Sequence, residues 1–137
     1  MAAAIAEAWE LMQDLMLTVQ RPRWLAAAAE LELTPAQVLT LRRLDPMRPL
    51  PMNELARSLA CDASNVTGIT DRLEARGLVE RRGAAHDRRV KMVALTEDGA
   101  ALRGELVRRM SEPPPQLAAL PAGDQRALRD IMRRLRG

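Results

Sequence analysis

The sequence holds few side chains that could do covalent chemistry or bind a metal. Among its 137 residues there are one cysteine, Cys61, and one histidine, His86. A single cysteine excludes an intramolecular disulfide framework and a zinc site built from cysteines alone. No pairing of a nucleophile with a base, no glycine-rich phosphate loop and no metal-ligand cluster is found. We therefore expect no catalytic residue, no metal and no cofactor, and a protein that is not an enzyme.

The strongest chemical signal is a cluster of basic residues between positions 76 and 91. The net charge of the whole chain is only +3, yet this window holds six basic and two acidic side chains, a net charge of +4. Residues 1–34 hold two arginines and five acids, a net charge of −3. The basic residues of the window are Arg76, Arg81, Arg82, Arg88, Arg89 and Lys91. Such a run can be an ordinary solvated surface, but it is also typical of a site that binds a polyanion.

The composition indicates one globular domain over residues 1–137. About 47% of the residues are apolar and 28% are charged, as in ordinary soluble proteins. No run of 18 apolar residues exists, and the N-terminus lacks a basic leader, so we expect a cytoplasmic protein without a membrane partner. There are two tryptophans and no Phe or Tyr, which argues against the stacking platforms of single-strand binders.

The N-terminal segment is predicted to be helical. Apolar residues recur at steps of three and four over residues 2–20, which places them on one helix face. They are Ile5, Trp9, Met12, Met16 and Val19. Pro22 should end or offset this helix, and residues 23–30 could resume it.

A second helix is predicted to start after Thr34. Thr34 can cap the helix, Pro35 suits its first position, and Gln37 completes a capping box. This helix should run to about Leu44, where Asp45-Pro46 ends it, and Pro49 and Pro51 bracket a short connection.

Two further helices are predicted over residues 52–60 and 63–76, separated by a tight break. Asp62 can cap the second of them, and Gly77 follows its end, where a left-handed residue is favoured. The apolar spacing turns Leu55, Ala56 and Leu59 of the first helix, and Val66, Ile69, Thr70 and Leu73 of the second, toward the core.

The hydrophobic period then changes from 3.6 to 2. Residues 78–82 and 89–95 are predicted strands, joined by a polar hairpin tip. Thr96 should cap a helix that runs to about Met110, and residues 111–115 cannot continue it. A last helix is predicted from about Pro121, with Leu128, Ile131, Met132 and Leu135 as its apolar stripe.

The order helix, short helix, helix and hairpin predicts a mainly α-helical fold, a winged helix-turn-helix with a small β-wing. In such a fold the second helix of the pair enters the major groove of DNA, so its outer face needs small polar side chains. The helix over residues 63–76 offers Ser64, Asn65, Thr67 and Gly68 there. Asn65 could pair with adenine through two hydrogen bonds.

The hairpin over residues 78–95, which we call the wing, would bring arginine to the same duplex. Arg88 or Arg89 at its tip suits a narrow and negative minor groove. Phosphate contacts are predicted for Arg76, Arg81, Arg82 and the helix N-terminus at Thr34, and Arg72 belongs to the same candidate interface.

At this point the sequence resembles the multiple-antibiotic-resistance regulator (MarR) family of bacterial transcription factors. The most specific match is the family pattern D-x-R-x5-L-T-x-x-G, which is present at every fixed position from Asp87 to Gly99. The stretches 62–68 and 71–79 are similar to the family's recognition helix and its exit.

The resemblance implies a homodimer whose helical dimerisation region comes from residues 1–33 and 100–137, with the DNA-binding region at 34–99. It implies major-groove contacts from Ser64, Asn65, Thr67 and Gly68, and a minor-groove contact from Arg89. Asp87 is implied to orient the wing by pairing with a wing arginine. The terminal apolar stripes support a dimer independently, since a two-fold protein on a pseudo-palindromic operator doubles its contacts.

Other roles for these residues remain open. Cys61 could be a redox switch, and His86 could bind metal or sense pH. Trp9, Met12, Met16 and Trp24 could line a pocket for a small aromatic or apolar effector, or form a dimer core. Asp87 could be catalytic, but arginine neighbours would make it a poor proton shuttle.

We therefore expect a dimeric, sequence-specific regulator that binds double-stranded DNA, a repressor released by a small molecule. Two alternative functions are also consistent with the sequence. One is a winged helix that binds a protein instead of DNA, although such domains usually lose the basic wing. The other is an architectural protein that binds DNA without regard to sequence.

Overall fold

The computed structural model describes residues 2–60 and 63–137, with side chains from residue 65 onward in the second range. This part of the chain forms two compact units, one of Trp24–Arg109 and one of the residues before Trp24 together with Met110–Gly137. The helices are α1 Ala2–Leu15, α2 Arg21–Glu30, α3 Pro35–Arg43, α4 Met52–Ser58, α5 Ala63–Ala75, α6 Glu97–Ser111, α7 Pro115–Ala118 and α8 Ala122–Arg136, and the strands are β1 Leu50–Pro51, β2 Val79–Gly83 and β3 Lys91–Leu95. The mainly α-helical class with a small sheet is confirmed.

The N-terminal helical stretch continues past Pro22 through a change of helix type. A π-helical turn over Met16–Gln20 joins α1 to α2, and the N–H of Arg21 donates to the carbonyl of Met16, five residues back. A proline ring clashes with the carbonyl four residues earlier in an α-helix, and the wider π-turn accommodates it. Pro22 therefore offsets the helix and does not end it, and α2 starts earlier than predicted.

The predicted start of α3 is confirmed in detail. The Thr34 hydroxyl accepts from the N–H of Gln37 at 3.2 Å, and the Thr34 N–H donates to Oε1 of Gln37 at 3.0 Å. These are the two reciprocal bonds of a capping box. At the other end Asp45 Oδ1 accepts from the N–H of Met47 at 2.8 Å, which fixes the turn that leaves the helix.

The end of α5 is set by Gly77, as predicted. Gly77 has a φ of +72°, and its N–H donates to the carbonyl of Glu74 at 2.9 Å. The N–H of Leu78 donates to the carbonyl of Leu73 at 3.0 Å. This is a Schellman motif, which requires a residue that tolerates the left-handed conformation.

The wing is part of a three-stranded antiparallel sheet with the order β1-β3-β2. The predicted hairpin is confirmed, with both strands starting slightly later than expected; Val79 pairs with Leu95 and Gly83 pairs with Lys91. The prediction of a plain connection between Pro49 and Pro51 is wrong, because Leu50 pairs with Val93 in β1. A two-residue strand that pairs only with a distant segment leaves no local alternation to recognise. The short helix α7 was not predicted either.

The start of α6 is held against the residues that follow α5 by hydrogen bonds from Thr96. The Thr96 hydroxyl accepts from the N–H of Gly99 at 3.0 Å and donates to the carbonyl of Gly77 at 2.6 Å. A Cβ added to Gly99 would overlap the carbonyl oxygen of Leu78, so the position excludes any side chain. The threonine and glycine of the L-T-x-x-G half of the sequence pattern are thus explained by hydrogen bonds and close packing within the fold.

The core of the Trp24–Arg109 unit lies between its helices and the sheet. The buried aliphatic residues all fall between Ala28 and Leu106, and the fully buried leucines are Leu41, Leu44, Leu55, Leu73 and Leu106. Among the described residues of the other unit, Pro114 alone is buried. That unit is therefore built of helices whose apolar stripes lack a core of their own in the single chain.

Candidate nucleic-acid interface

Helix α5 is oriented by the residues that it buries. Val66, Thr70 and Leu73 are 1%, 0% and 0% exposed, which fixes the opposite side of the helix on the surface. That outer side carries Asn65, Thr67 and Arg72, which are exposed, and Gly68, which is half-buried. Four of the residues predicted for the interface are therefore brought together on this helix. The side chain of Ser64, and all of Cys61 and Asp62, lie outside the described residues.

A groove of about 480 Å³ runs beside this surface, between α5 and α3. It is lined by Ala36, Leu39, Leu59, Asn65, Gly68, Ile69 and Arg72. Leu39 is 48% exposed although it lies in the middle of α3. Leu39 was not among the predicted site residues; the signal was an apolar residue between the buried positions of that helix. Polar and apolar groups thus share this side of α5.

The wing carries the ion pair that the family resemblance implies. Asp87 accepts from the backbone N–H of Arg89 at 3.0 Å, and from its guanidinium at 3.2 Å through each oxygen. The side-chain hydrogen bond from Arg89 lowers the pKa of Asp87, with the backbone bond as the second cause. The Arg89 side chain is still 91% exposed. It is therefore oriented by Asp87 while its guanidinium stays at the surface.

A second pair of basic residues lies at the base of the hairpin tip. Arg88 and Lys91 are exposed and, with Gly83, Ala84 and Ala85, line a hollow of about 410 Å³. Lys91 was counted in the basic window but was not predicted as a site residue. Its position at the start of β3, opposite Gly83, would have been the signal.

Two arginines predicted to contact phosphate are engaged within the protein. The guanidinium of Arg81 forms ion pairs with Asp71 and Glu74 and is 25% exposed. Its hydrogen bond with Asp71 is the largest cause that raises the pKa of Arg81. The guanidinium of Arg76 donates to the carbonyls of Glu32 at 2.7 Å and Leu31 at 3.3 Å, just past the end of α2. Spacing along the chain could not show these tertiary partners.

The remaining predicted residues lie at the surface or at a helix end. Arg82 pairs with Glu80 on its own strand at 3.0 Å and is 53% exposed. The Thr34 hydroxyl is used by the capping box at the start of α3. His86 is exposed in the hairpin tip. Over residues 2–60 and 63–137, no group of three or more potential metal ligands is found. In the same ranges, no helix is long and apolar enough to cross a membrane.

Comparison with known proteins places this geometry in a family. A sequence model of the MarR family matches residues 33–91. The HTH-type transcriptional repressor NicR of Pseudomonas putida is 35% identical over 111 residues, covering 79% of this chain and 69% of NicR. Other curated relatives are matched over less than two thirds of their own length, 62% in one case and 53% in another.

Solved structures show the same fold over nearly the whole chain. A MarR family protein from Bacillus stearothermophilus has a TM-score of 0.81 at 22% identity and covers 99% of this chain, and the chain covers 95% of it. A mutant of MepR from S. aureus, bound to an oligodeoxyribonucleotide, has a TM-score of 0.70 at 19% identity, with 93% and 94% of the two chains covered. The chain belongs to the MarR family of DNA-binding transcriptional regulators.

Proposed function

We propose that the chain binds one operator sequence in double-stranded DNA as a homodimer and represses transcription in the cytoplasm. The observation that carries the proposal is the outer surface of α5. Asn65 and Thr67 are exposed there beside Gly68, on a helix that is held by buried Val66 and Leu73. Small side chains let a helix approach base edges closely, and an asparagine amide can read adenine.

The wing supports the second half of the interface. The Arg89 guanidinium, directed by Asp87 and 91% exposed, suits an A·T-rich minor groove. Arg88, Lys91 and Arg82 would meet the adjacent phosphates, together with Arg72 and the N-terminus of α3 at Thr34. Phosphate contacts set the position of the protein on the duplex, and base contacts set the sequence that it prefers. The neighbour bound to an oligodeoxyribonucleotide supports DNA as the ligand.

The dimer is supported by apolar side chains that are exposed to solvent in the single chain. Ile5 is 70% exposed on α1, and Ile131 and Leu135 are 46% and 73% exposed on α8. Large apolar surfaces of this kind mark sites of association. Two copies related by a two-fold axis would place two α5 helices on a pseudo-palindromic operator.

Release by a small aromatic or apolar effector would require differential affinity. A ligand shifts a conformational equilibrium only by the difference between its affinities for the two states. We propose that the effector favours a dimer whose α5 helices no longer match the spacing of the half-sites. NicR and the relative MdtR of Bacillus subtilis are named repressors, which supports repression as the output.

The test is fluorescence anisotropy on duplex DNA from upstream of the protein's own gene, with a shuffled duplex as control, at several salt concentrations. We expect binding at least ~10³-fold tighter to the specific duplex. The variant Arg89→Ala should lose roughly 1–3 kcal/mol of that binding. Equal and steeply salt-dependent binding to both duplexes would instead favour an architectural protein. No binding at low salt would favour a protein-binding winged helix.

A further inference from the structure

Arg81 links the two elements that would contact DNA. It lies in the middle of β2, between Val79 and Gly83, and shares a face of that strand with buried Val79. Its guanidinium reaches Asp71 and Glu74 on α5, at 3.3 Å for Glu74 Oε1. Its backbone N–H also donates to Glu74 Oε2 at 3.1 Å. The strand is therefore held to the helix by both its side chain and its main chain.

The acids that Arg81 neutralises lie on α5 itself. Asp71 and Glu74 are one turn apart, and their side chains are 57% and 42% exposed. Asp71 is three residues beyond Gly68, so it lies next to the outer surface of α5. Arg81 supplies the compensating charge from within the protein.

We infer that Arg81 is a positioning residue, an internal counter-ion that fixes the wing relative to α5 and does not bind phosphate. The inference rests on the proposed function. Three bonds from one residue to two carboxylates hold both partners in one geometry, which a single exposed pair does poorly. With the wing fixed in this way, Arg89 and the α5 surface meet the duplex without having to be ordered on binding.

The decisive variant removes the acids and keeps the arginine. The double substitution Asp71→Asn with Glu74→Gln removes two negative charges from α5. If Arg81 were a phosphate ligand restrained by these acids, the double variant would bind the operator more tightly. The inference predicts the opposite sign, a roughly tenfold loss of affinity, because the wing is released.

Arg81→Ala completes the cycle. It should weaken operator binding by a similar factor, roughly tenfold, and adding it to the double variant should cost little more, since coupled substitutions are not additive. Arg82→Ala is the comparator on the neighbouring position. In Arg82→Ala, the slope of the logarithm of the operator-binding constant against the logarithm of the salt concentration should fall by the amount expected for about one lost phosphate contact. In Arg81→Ala, this slope should be unchanged. Tighter binding by the double variant, or a lower slope for Arg81→Ala, overturns the inference.

Hydrogen exchange of the free protein tests the link without DNA. Amides of the hairpin over residues 79–95 should exchange faster in Arg81→Ala and in the double variant than in Arg82→Ala. Equal exchange in all three variants overturns the inference. Circular dichroism of each variant verifies that the helices are intact. If the unmodified protein shows no preference for any operator, the proposed function fails, and the exchange rates alone decide whether Arg81 holds the wing.

Discussion

The two units of the chain differ in what they bury. Between Trp24 and Arg109, core side chains such as Leu41 and Val93 are 0% exposed, and the start of α3 is closed by a capping box. In the remaining helices Trp9 is 58% exposed, and Ile131 and Leu135 are 46% and 73% exposed. The first unit contains its own core, whereas the second presents apolar surface that folding of one chain does not cover.

The difference separates two sources of stability. A residue such as Leu55, buried with 0% exposure, contributes to folding regardless of any partner. An exposed apolar residue of α8 contributes only when another surface removes it from water. Substitutions in the first unit should thus act on folding at any concentration, and those in the second should act on association.

The largest effect should follow from disrupting the close approach of Gly99 to Leu78 in the Trp24–Arg109 unit. In Gly99→Ala the new methyl group would collide with the carbonyl oxygen of Leu78, so the start of α6 must shift. We expect a loss of about 3 kcal/mol in the free energy of unfolding. Urea unfolding at one fixed protein concentration measures it.

Gly104→Ala is the matched control for this prediction. Gly104 lies in the same helix, and a Cβ added there would meet nothing within 4 Å. The same substitution should stabilise the protein here by roughly 0.5–1 kcal/mol, through helix propensity alone. Equal unfolding midpoints for the two variants would show that the approach of α6 to Leu78 is not constrained.

An intermediate effect is expected from a substitution in the unit of the terminal helices, whose apolar residues are exposed. Ile131→Asp places a charge in the apolar stripe of α8, and burying it against a second copy should cost roughly 2 kcal/mol or more. Light scattering should show the mass fall from twice 15.2 kDa toward the mass of one chain. Arg126→Asp puts the same group on the opposite side of the helix and should leave the mass unchanged. A persistent dimer in Ile131→Asp would place the interface elsewhere.

The smallest effect concerns the surface ion pairs of Glu105 in the Trp24–Arg109 unit. Glu105 accepts hydrogen bonds from Arg108 and Arg109, at 2.7 and 2.8 Å, and these lower its pKa to about 2. A lowered carboxyl pKa stabilises the fold above the ordinary pKa and stops doing so as the pH falls toward 2. The unfolding midpoint of the native protein should thus fall more between pH 5 and pH 2.5 than that of Glu105→Gln. Parallel curves would contradict this prediction.

Local chemistry explains which features could be predicted from the sequence. The capping box at Thr34, the left-handed Gly77 and the cap at Thr96 each depend on residues within four positions of one another. The hairpin followed from a change of period, and the apolar faces of α4 and α5 from helical spacing. The candidate residues on the outer side of α5 followed from the same periodicity.

Features that depend on distant residues were missed. Strand β1 exists because Leu50 pairs with Val93, far along the chain. Arg76 and Arg81 carry the right charge for phosphate, but only the fold shows the carbonyls and carboxylates that engage them. The spacing of residues in the sequence could locate the basic window. It could not show which of its arginines pair within the protein and which stay available at the surface.

The close approach of Gly99 to Leu78 has a consequence for how such chains are recognised by pattern searches. The pattern from Asp87 to Gly99 contains two independent constraints. The D-x-R half orients a guanidinium at the surface, and the L-T-x-x-G half seats a helix on a neighbouring turn. A descendant could lose the first half together with its affinity for DNA and still need the second half to fold. Relatives that retain only L-T-x-x-G would then share this architecture without sharing its ligand.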